Sequence, residues 1–555
     1  MQNEAVKAKI PAADLLVKCL ENEGVKYMFG LPGEENLALL DAVRRSSIRF
    51  ITTRHEQASV FMAATMGRLT GKACVALSTL GPGATNLVTG VAYAQLGGMP
   101  LLVITGQKPV RRSKQGKFQI IDTVRMMEPI TKYSATIPSA ERVPSMVLES
   151  IRLAEGERPG AVHLEFPEDI AAEMTSASVI KTEKVRRPGP DPKAIENAAR
   201  AIERAKHPLI IIAAGANRKL VRKQLKNFLD KTKIPFITTQ MGKGVEDESS
   251  PLYIGTTALS ANDYAHRAIE HADLVITVGH DITEKPPSIL TPEKHVVVHV
   301  NFSPADIDTV YVPTHEVVGD VSHALWMLSE TVRPQASWNF DYFFRVKNAF
   351  EKSLHTPALD ARFPLRPARV VADIRAALPH DGIVSLDNGM YKIWIARNYM
   401  AHEQGSVLLD NALATMGAGL PAGIAAKLLY PAKKVLVVAG DGGIMMNISE
   451  LETAQRLGID LVVLILNDSG FGMIRWKQED MQLPDFGLSF GNPDFVKLAE
   501  SFGAKGYRLK STDELRATLK QTLDSKGVHI IDCPIDYSEN GEALGAALRK
   551  ELEAI

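Results

Sequence analysis

Cysteine is scarce here, three in 555 residues (Cys19, Cys74 and Cys533). They lie far apart and none has a metal-ligand spacing, which argues against a cysteine-held metal module. Cys74 sits in an apolar run where a buried thiol is the default, a pattern suited to a reducing cytoplasm. Net charge is also missing. Lys+Arg and Asp+Glu both total 64, so no field gathers nucleic acid or an anionic membrane surface. No apolar run reaches membrane-spanning length, and the opening MQNEAVKAKIPAAD does not read as a signal peptide. What remains, 45% hydrophobic and 23% charged residues, is the composition of an ordinary soluble globular protein, expected in the cytoplasm.

The length implies three domains. In the first, residues 1–180, strands are expected at Val25–Phe29, Ile48–Thr52, Ala73–Leu77 and Leu101–Thr105, alternating with helices. A charged, proline-bearing linker, Lys181–Pro192, leads to the second, residues 190–345. Its strands are expected at Pro208–Ala213, Phe236–Thr238, Leu274–Val278 and Val296–Val300. A second linker around Thr356–Pro367 leads to the third, residues 365–540, opening with a strand at Gly382–Leu386. All three alternate strand and helix, as open parallel α/β sheets do.

The densest signal lies between Val435 and Trp476. Val435–Val438 reads as a buried strand, and Gly440-Asp441-Gly442-Gly443 as a turn permitting close backbone approach. A helical pattern follows (Ile448, Leu451, Ala454, Leu457), stopped by Gly458. A second strand, Leu461–Leu466, ends in Asn467-Asp468-Ser469-Gly470. A right-handed crossover sets the carboxyl ends of two parallel strands on one crevice, so Asp441 and Asp468 can meet at one small cation. Two carboxylates and a backbone carbonyl suit Mg²⁺ holding a diphosphate, whose oxygens the glycine N–H groups can approach. Spacing alone leaves a second reading open, in which Asp441 starts a turn and Asp468 caps the next element.

This stretch resembles the GDG…N motif of thiamine diphosphate (ThDP) enzymes, and the resemblance supplies the cofactor. It implies that Asp441, Asp468 and the carbonyl of Gly470 bind Mg²⁺, with Gly440, Gly442 and Gly443 at the diphosphate. Asp468 stands where asparagine is usual, a departure shared with catabolic acetolactate synthases that keeps an oxygen ligand. Taken alone, Glu56 is an acid at a helix start and a favourable dipole partner. Arg54-His55-Glu56 followed by Gly81-Pro82-Gly83-Ala84-Thr85-Asn86, however, is similar to the first-domain signature of acetohydroxyacid and acetolactate synthases. There the glutamate hydrogen-bonds the aminopyrimidine and drives it to the imino form, which takes the thiazolium C2 proton. The same resemblance places Asn388, Gly389, Met390 and Tyr391 at the diphosphate and the Ala414 carbonyl on the aminopyrimidine. Met416 becomes the wedge beneath the cofactor (or, on sequence alone, a core methionine), Met473 a pocket contact, and Phe118-Gln119 a substrate-side pair. Gly30, Pro32, Gly33 and Glu34 are expected to wall the pyrimidine.

The implied fold is α/β, with three Rossmann-like parallel-sheet domains: pyrimidine-binding, central and diphosphate-binding. Relatives place each active site at a subunit interface, so a homodimer or homotetramer is expected, with a regulatory small subunit left open. DNGMYKIWIARNY, SELETAQRL, PDFVKLAESFGAKGY and IDYSEN resemble catabolic acetolactate synthase most closely. Such enzymes decarboxylate pyruvate and add the hydroxyethyl carbanion to a second 2-oxo acid, giving 2-acetolactate and CO₂. Biosynthetic members carry a tryptophan favouring 2-ketobutyrate. Here Lys477 holds that place and Trp476 comes one position early, turned by about 100° on a helix. A pyruvate oxidase or a simple 2-oxo acid decarboxylase would keep the same cofactor residues. The central domain leaves FAD open. Ala213–Ala216 and Gln240–Gly244 look like flavin segments, whereas Asp281 replaces an arginine, and a purely structural domain fits equally.

Overall fold

The fold comes from a computed structural model describing residues 8–111, 116–182, 187–217, 220–355 and 359–555. Parts of three expectations, on residues 1–7, 183–186 and 356–358, lie outside the described residues. Eighteen strands form three six-stranded sheets. The first contains β1 (Tyr27–Gly30), β2 (Arg49–Thr52), β3 (Cys74–Ser78), β4 (Leu101–Gln107), β5 (Tyr133–Thr136) and β6 (Ala161–Pro167). The second contains β7 (Pro208–Ile212), β8 (Phe236–Thr239), β9 (Tyr253–Thr257), β10 (Leu274–Val278), β11 (Val296–Asn301) and β12 (His315–Val318). In the third are β13 (Ile383–Leu386), β14 (Val407–Leu408), β15 (Val435–Gly440), β16 (Leu461–Asn467), β17 (Lys505–Arg508) and β18 (Val528–Pro534).

The strand orders are β2-β1-β3-β4-β6-β5, β9-β8-β7-β10-β11-β12 and β14-β13-β15-β16-β18-β17. Neighbours within each sheet pair in parallel, as strands linked by crossover helices must. The first and third orders are the same, a repeat the residues hide. The middle order is that of the dinucleotide-binding fold. Central strands carry unbroken apolar runs such as Leu209–Ile212 and Leu461–Leu466 because helices cover both faces. Two compact units result. One holds the first sheet and its helices with residues 424–429 and 449–457; the other holds the second and third sheets. Among the described residues no helix is long and apolar enough to cross a membrane, and Cys19, Cys74 and Cys533 are buried and free.

Boundaries moved in places. Gly440 still belongs to β15, and the expected turn at Asp441–Gly443 is a short helical turn, Asp441–Ile444. The helix after it covers only Glu450–Arg456. The helix Glu56–Thr70 has no polar face. Every residue from Ala58 to Gly67 is buried, and Gly71 ends it in the left-handed conformation, φ +68°.

Candidate active site

In the first unit, β2 ends at Thr52 and Glu56 opens the buried helix, so its carboxyl sits at the end of the sheet where loops gather. His55 caps that helix, Nδ1 accepting from the Gln57 N–H at 3.1 Å. Glu56 is 9% exposed. Asn86 donates its side-chain amide to Oε2 at 2.9 Å. A Cβ on Gly83 would lie 3.4 Å from Oε1, so the glycine-rich loop closes on this carboxyl. Gly81 turns the chain with φ +54°, and a Cβ there would meet the Gln119 carbonyl at 3.0 Å. The loop after β3 is thereby packed on Gln119, while Phe118 projects outward, 65% exposed. Of the expected pyrimidine wall, Gly33 packs on Thr79 but Glu34 is exposed. The inward acid is Glu35, which accepts from the Thr79 hydroxyl at 2.6 Å and pairs with buried Lys108. Burial works against the Glu35 charge, but the bonds from Lys108 and Thr79 outweigh it and lower its pKa.

Glu450, within SELETAQRL, is an acid that no short motif marks. It is fully buried in this unit. Its Oε1 accepts the backbone N–H of Arg54 at 3.0 Å and of His55 at 3.1 Å; Thr453 donates to Oε2 at 2.6 Å. Burial raises its pKa against those bonds. The carboxyl therefore fixes the two residues that precede Glu56. Glu450→Ala should strand both N–H groups and cost on the order of 2–4 kcal/mol, read as a lowered midpoint in denaturant, whereas Glu450→Gln should lose much less. Equal unfolding of all three proteins would contradict this role.

In the second unit Asp441 and Asp468 stand at the ends of the adjacent strands β15 and β16. Asp441 accepts from the Gly442 N–H at 2.9 Å, the Ser469 N–H at 2.7 Å and the Asn492 amide at 2.8 Å. Asp468 Oδ2 is buried with no hydrogen-bond partner, and the nearest cation is Arg475, at 3.6 Å. Burial, then the Asp441 charge, pushes Asp468 up to about 7; burial raises Asp441 too. Two such carboxyls, one with an orphaned oxygen, are what a hard divalent cation would relieve. Gly470 lies beside them, its loop paired with Ser489.

Tyr391 joins the other expected diphosphate residues to this pair. Its ring lies over Gly389 and Gly440, where a Cβ would come within 2.5 and 3.1 Å, and its hydroxyl is buried. Met390 is buried beside it. Gly443 faces the Asp387 carboxyl and Gly442 the Phe471 and Phe490 rings. Asn388 donates to the Thr415 carbonyl at 2.7 Å and accepts from Lys392 at 2.6 Å. Lys392 has no motif of its own. It is buried and also reaches the Asp410 carbonyl and the Asn411 side chain; burial pulls it down to about 8. Asp410 in turn accepts from the Ala414 N–H at 2.7 Å, holding Ala414 at φ +55°. Met416 and Met473 are half-buried. Among the described residues six non-glycine residues have positive φ, and three of them, Gln119, Ala414 and Ser469, fall in these two clusters. Strain of that kind collects where function holds the backbone.

Comparison with known proteins gives the family. Residues 10–126 match the N-terminal TPP binding domain of thiamine pyrophosphate enzymes, 195–328 the central domain and 387–533 the C-terminal TPP binding domain. An acetolactate synthase of Bacillus subtilis is 33% identical over 97% of this chain and 96% of its own. A catabolic acetolactate synthase of Raoultella terrigena is also 33% identical, over 96% of each. A putative thiamine pyrophosphate-containing protein of B. subtilis, YdaP, is 31% identical over 94% of this chain and 91% of its own. The chain belongs to the three-domain thiamine pyrophosphate enzymes, as a relative of the acetolactate synthases.

Proposed function

We propose that the protein is a ThDP-dependent acetolactate synthase, joining the two-carbon fragment of one pyruvate to a second 2-oxo acid with release of CO₂. The observation that carries it is the Asp441–Asp468 pair, one of whose oxygens is buried and accepts no hydrogen bond, at the strand ends where the cofactor's tail would bind. Asp441, Asp468 and the Gly470 carbonyl would hold Mg²⁺; Asn388, Gly389, Met390, Tyr391, Gly440, Gly442 and Gly443 would face the diphosphate. ThDP, when bound, supplies the electron sink that decarboxylation needs. Glu56 exchanges a proton with the aminopyrimidine, kept in place by Asn86 and by the buried helix beneath it. The Ala414 carbonyl and Met416 orient the rings, and Gly81, Gln119, Phe118 and Met473 shape the substrate side. The working unit is a homodimer, or a pair of them, in which two copies complete each site.

Trp476 packs half-buried against the core, while Lys477 is exposed with its ammonium 4.7 Å above the indole. That supports pyruvate over 2-ketobutyrate as acceptor. Purified protein given pyruvate, ThDP and Mg²⁺ should form acetolactate and CO₂ in equal amounts. Acetaldehyde or oxygen uptake in place of acetolactate would leave the cofactor reading standing and overturn the carboligase one.

A further inference from the structure

The second sheet reverses its strand order between β7 and β10. At that point a sheet of this order takes a dinucleotide, with phosphates on the N–H groups of the loop after the first strand. The loops here are bonded to each other instead. Ala213 N–H donates to the Val278 carbonyl at 3.0 Å and Gly215 N–H to the Gly279 carbonyl at 2.8 Å. A Cβ on Gly279 would lie 2.2 Å from the Ala216 nitrogen, and one on Gly215 2.8 Å from the Gly279 oxygen. The two backbones touch, and the Ala213 and Gly215 N–H groups are spent on each other's loop.

The N–H between them, on Ala214, is taken as well. It donates to Glu284 Oε1 at 2.6 Å, and the Thr239 hydroxyl and Met241 N–H face the same carboxyl. Glu284 is 5% exposed, and its second oxygen is buried without a partner. The charged group acting on it is Asp281, which is also negative. An anion arriving here would meet an acid that already occupies the Ala214 N–H, with a second acid, Asp281, acting on it, so the residues present do not fit FAD. We infer that the Glu284 carboxyl is an internal plug that holds this crevice shut, and that the central domain takes neither FAD nor another dinucleotide. The inference holds whatever reaction the other domains perform.

Two measurements on the ThDP- and Mg²⁺-loaded protein test it. Calorimetric titration with FAD, and separately with ADP, should show no saturable binding at millimolar ligand; stoichiometric uptake of either would overturn the inference. The second compares melting of the wild type and Glu284→Gln across pH. Burial pushes this carboxyl from 4.5 up to about 7, so the folded state holds the proton more tightly than the unfolded chain. The resulting stability is complete below pH 4.5 and is lost as pH rises through 7. The variant should therefore melt with the wild type in acid and above it beyond pH 7, by on the order of 2–4 °C. Identical melting at every pH would mean that the carboxyl is not the buried plug.

Discussion

Glu56→Gln should lower turnover by about a thousand-fold, the middle of what proton transfer by a positioned side chain contributes. Glutamine keeps the size of the side chain and an oxygen for the Asn86 amide, so the packing of Gly83 and the helix start should survive. What it removes is a carboxyl able to take and return a proton at the aminopyrimidine. Melting temperature and ThDP affinity should stay near the wild-type values, while hydrogen–deuterium exchange at C2 of the bound cofactor, followed by NMR, should slow with turnover. A variant retaining most of its activity would show that another group moves this proton. Loss of activity together with loss of fold would instead give Glu56 the role of a buried structural acid.

Much of this was legible in the residues, and the omissions have physical reasons. Strands buried on both faces announce themselves as apolar runs, so β4, β7, β15 and β16 stood out. Most strands that escaped notice lie at sheet edges: β5 (YSAT), β9 (YIGTT), β12 (HEVV), β14 (VL) and β17 (KGYR). With a neighbour on one side only, they carry short or mixed sequences. The interior strands β6 and β18 were hidden differently, because polar residues interrupt them. His163 and Glu165 in β6 are buried in bonds to Thr105, Ser134, Gln107 and Thr136. His529 and Asp532 in β18 are held by Tyr507, Arg508 and Asn467.

The candidate site divides in the same way. Glu56, Asp441 and Asp468 were legible because short motifs carried them. Glu450, Lys392 and Glu284 were not, since a lone acid or lysine in a helix or loop has no local signature. Their meaning depends on the N–H groups and carbonyls that long-range folding brings to them, as with Glu450 and Arg54, almost four hundred positions apart in sequence. Identity and contact also diverged at Glu34 and Glu35, where one step along the chain decided which acid turns inward.

Asp441→Ala should abolish Mg²⁺-dependent retention of ThDP, weakening it by more than about 100-fold, since loss of even an outer partner of a metal ligand costs 10–100-fold. Asp441 is the stronger choice of the two acids because it has two duties. It would supply a ligand oxygen, and it already anchors Ser469 and Asn492 around Asp468. Asp468→Asn should do far less harm, because an amide oxygen can still ligate and both the burial of a charge, which lifts Asp468 most, and its repulsion by Asp441 disappear. Removing that repulsion should also stabilise the metal-free protein relative to the wild type. The two variants together separate a metal site from a structural cap: a cap predicts similar losses of stability and no dependence on Mg²⁺. Equilibrium dialysis of ThDP with and without a chelator decides it. Tight binding by Asp441→Ala in the presence of chelator would remove the metal from this crevice altogether.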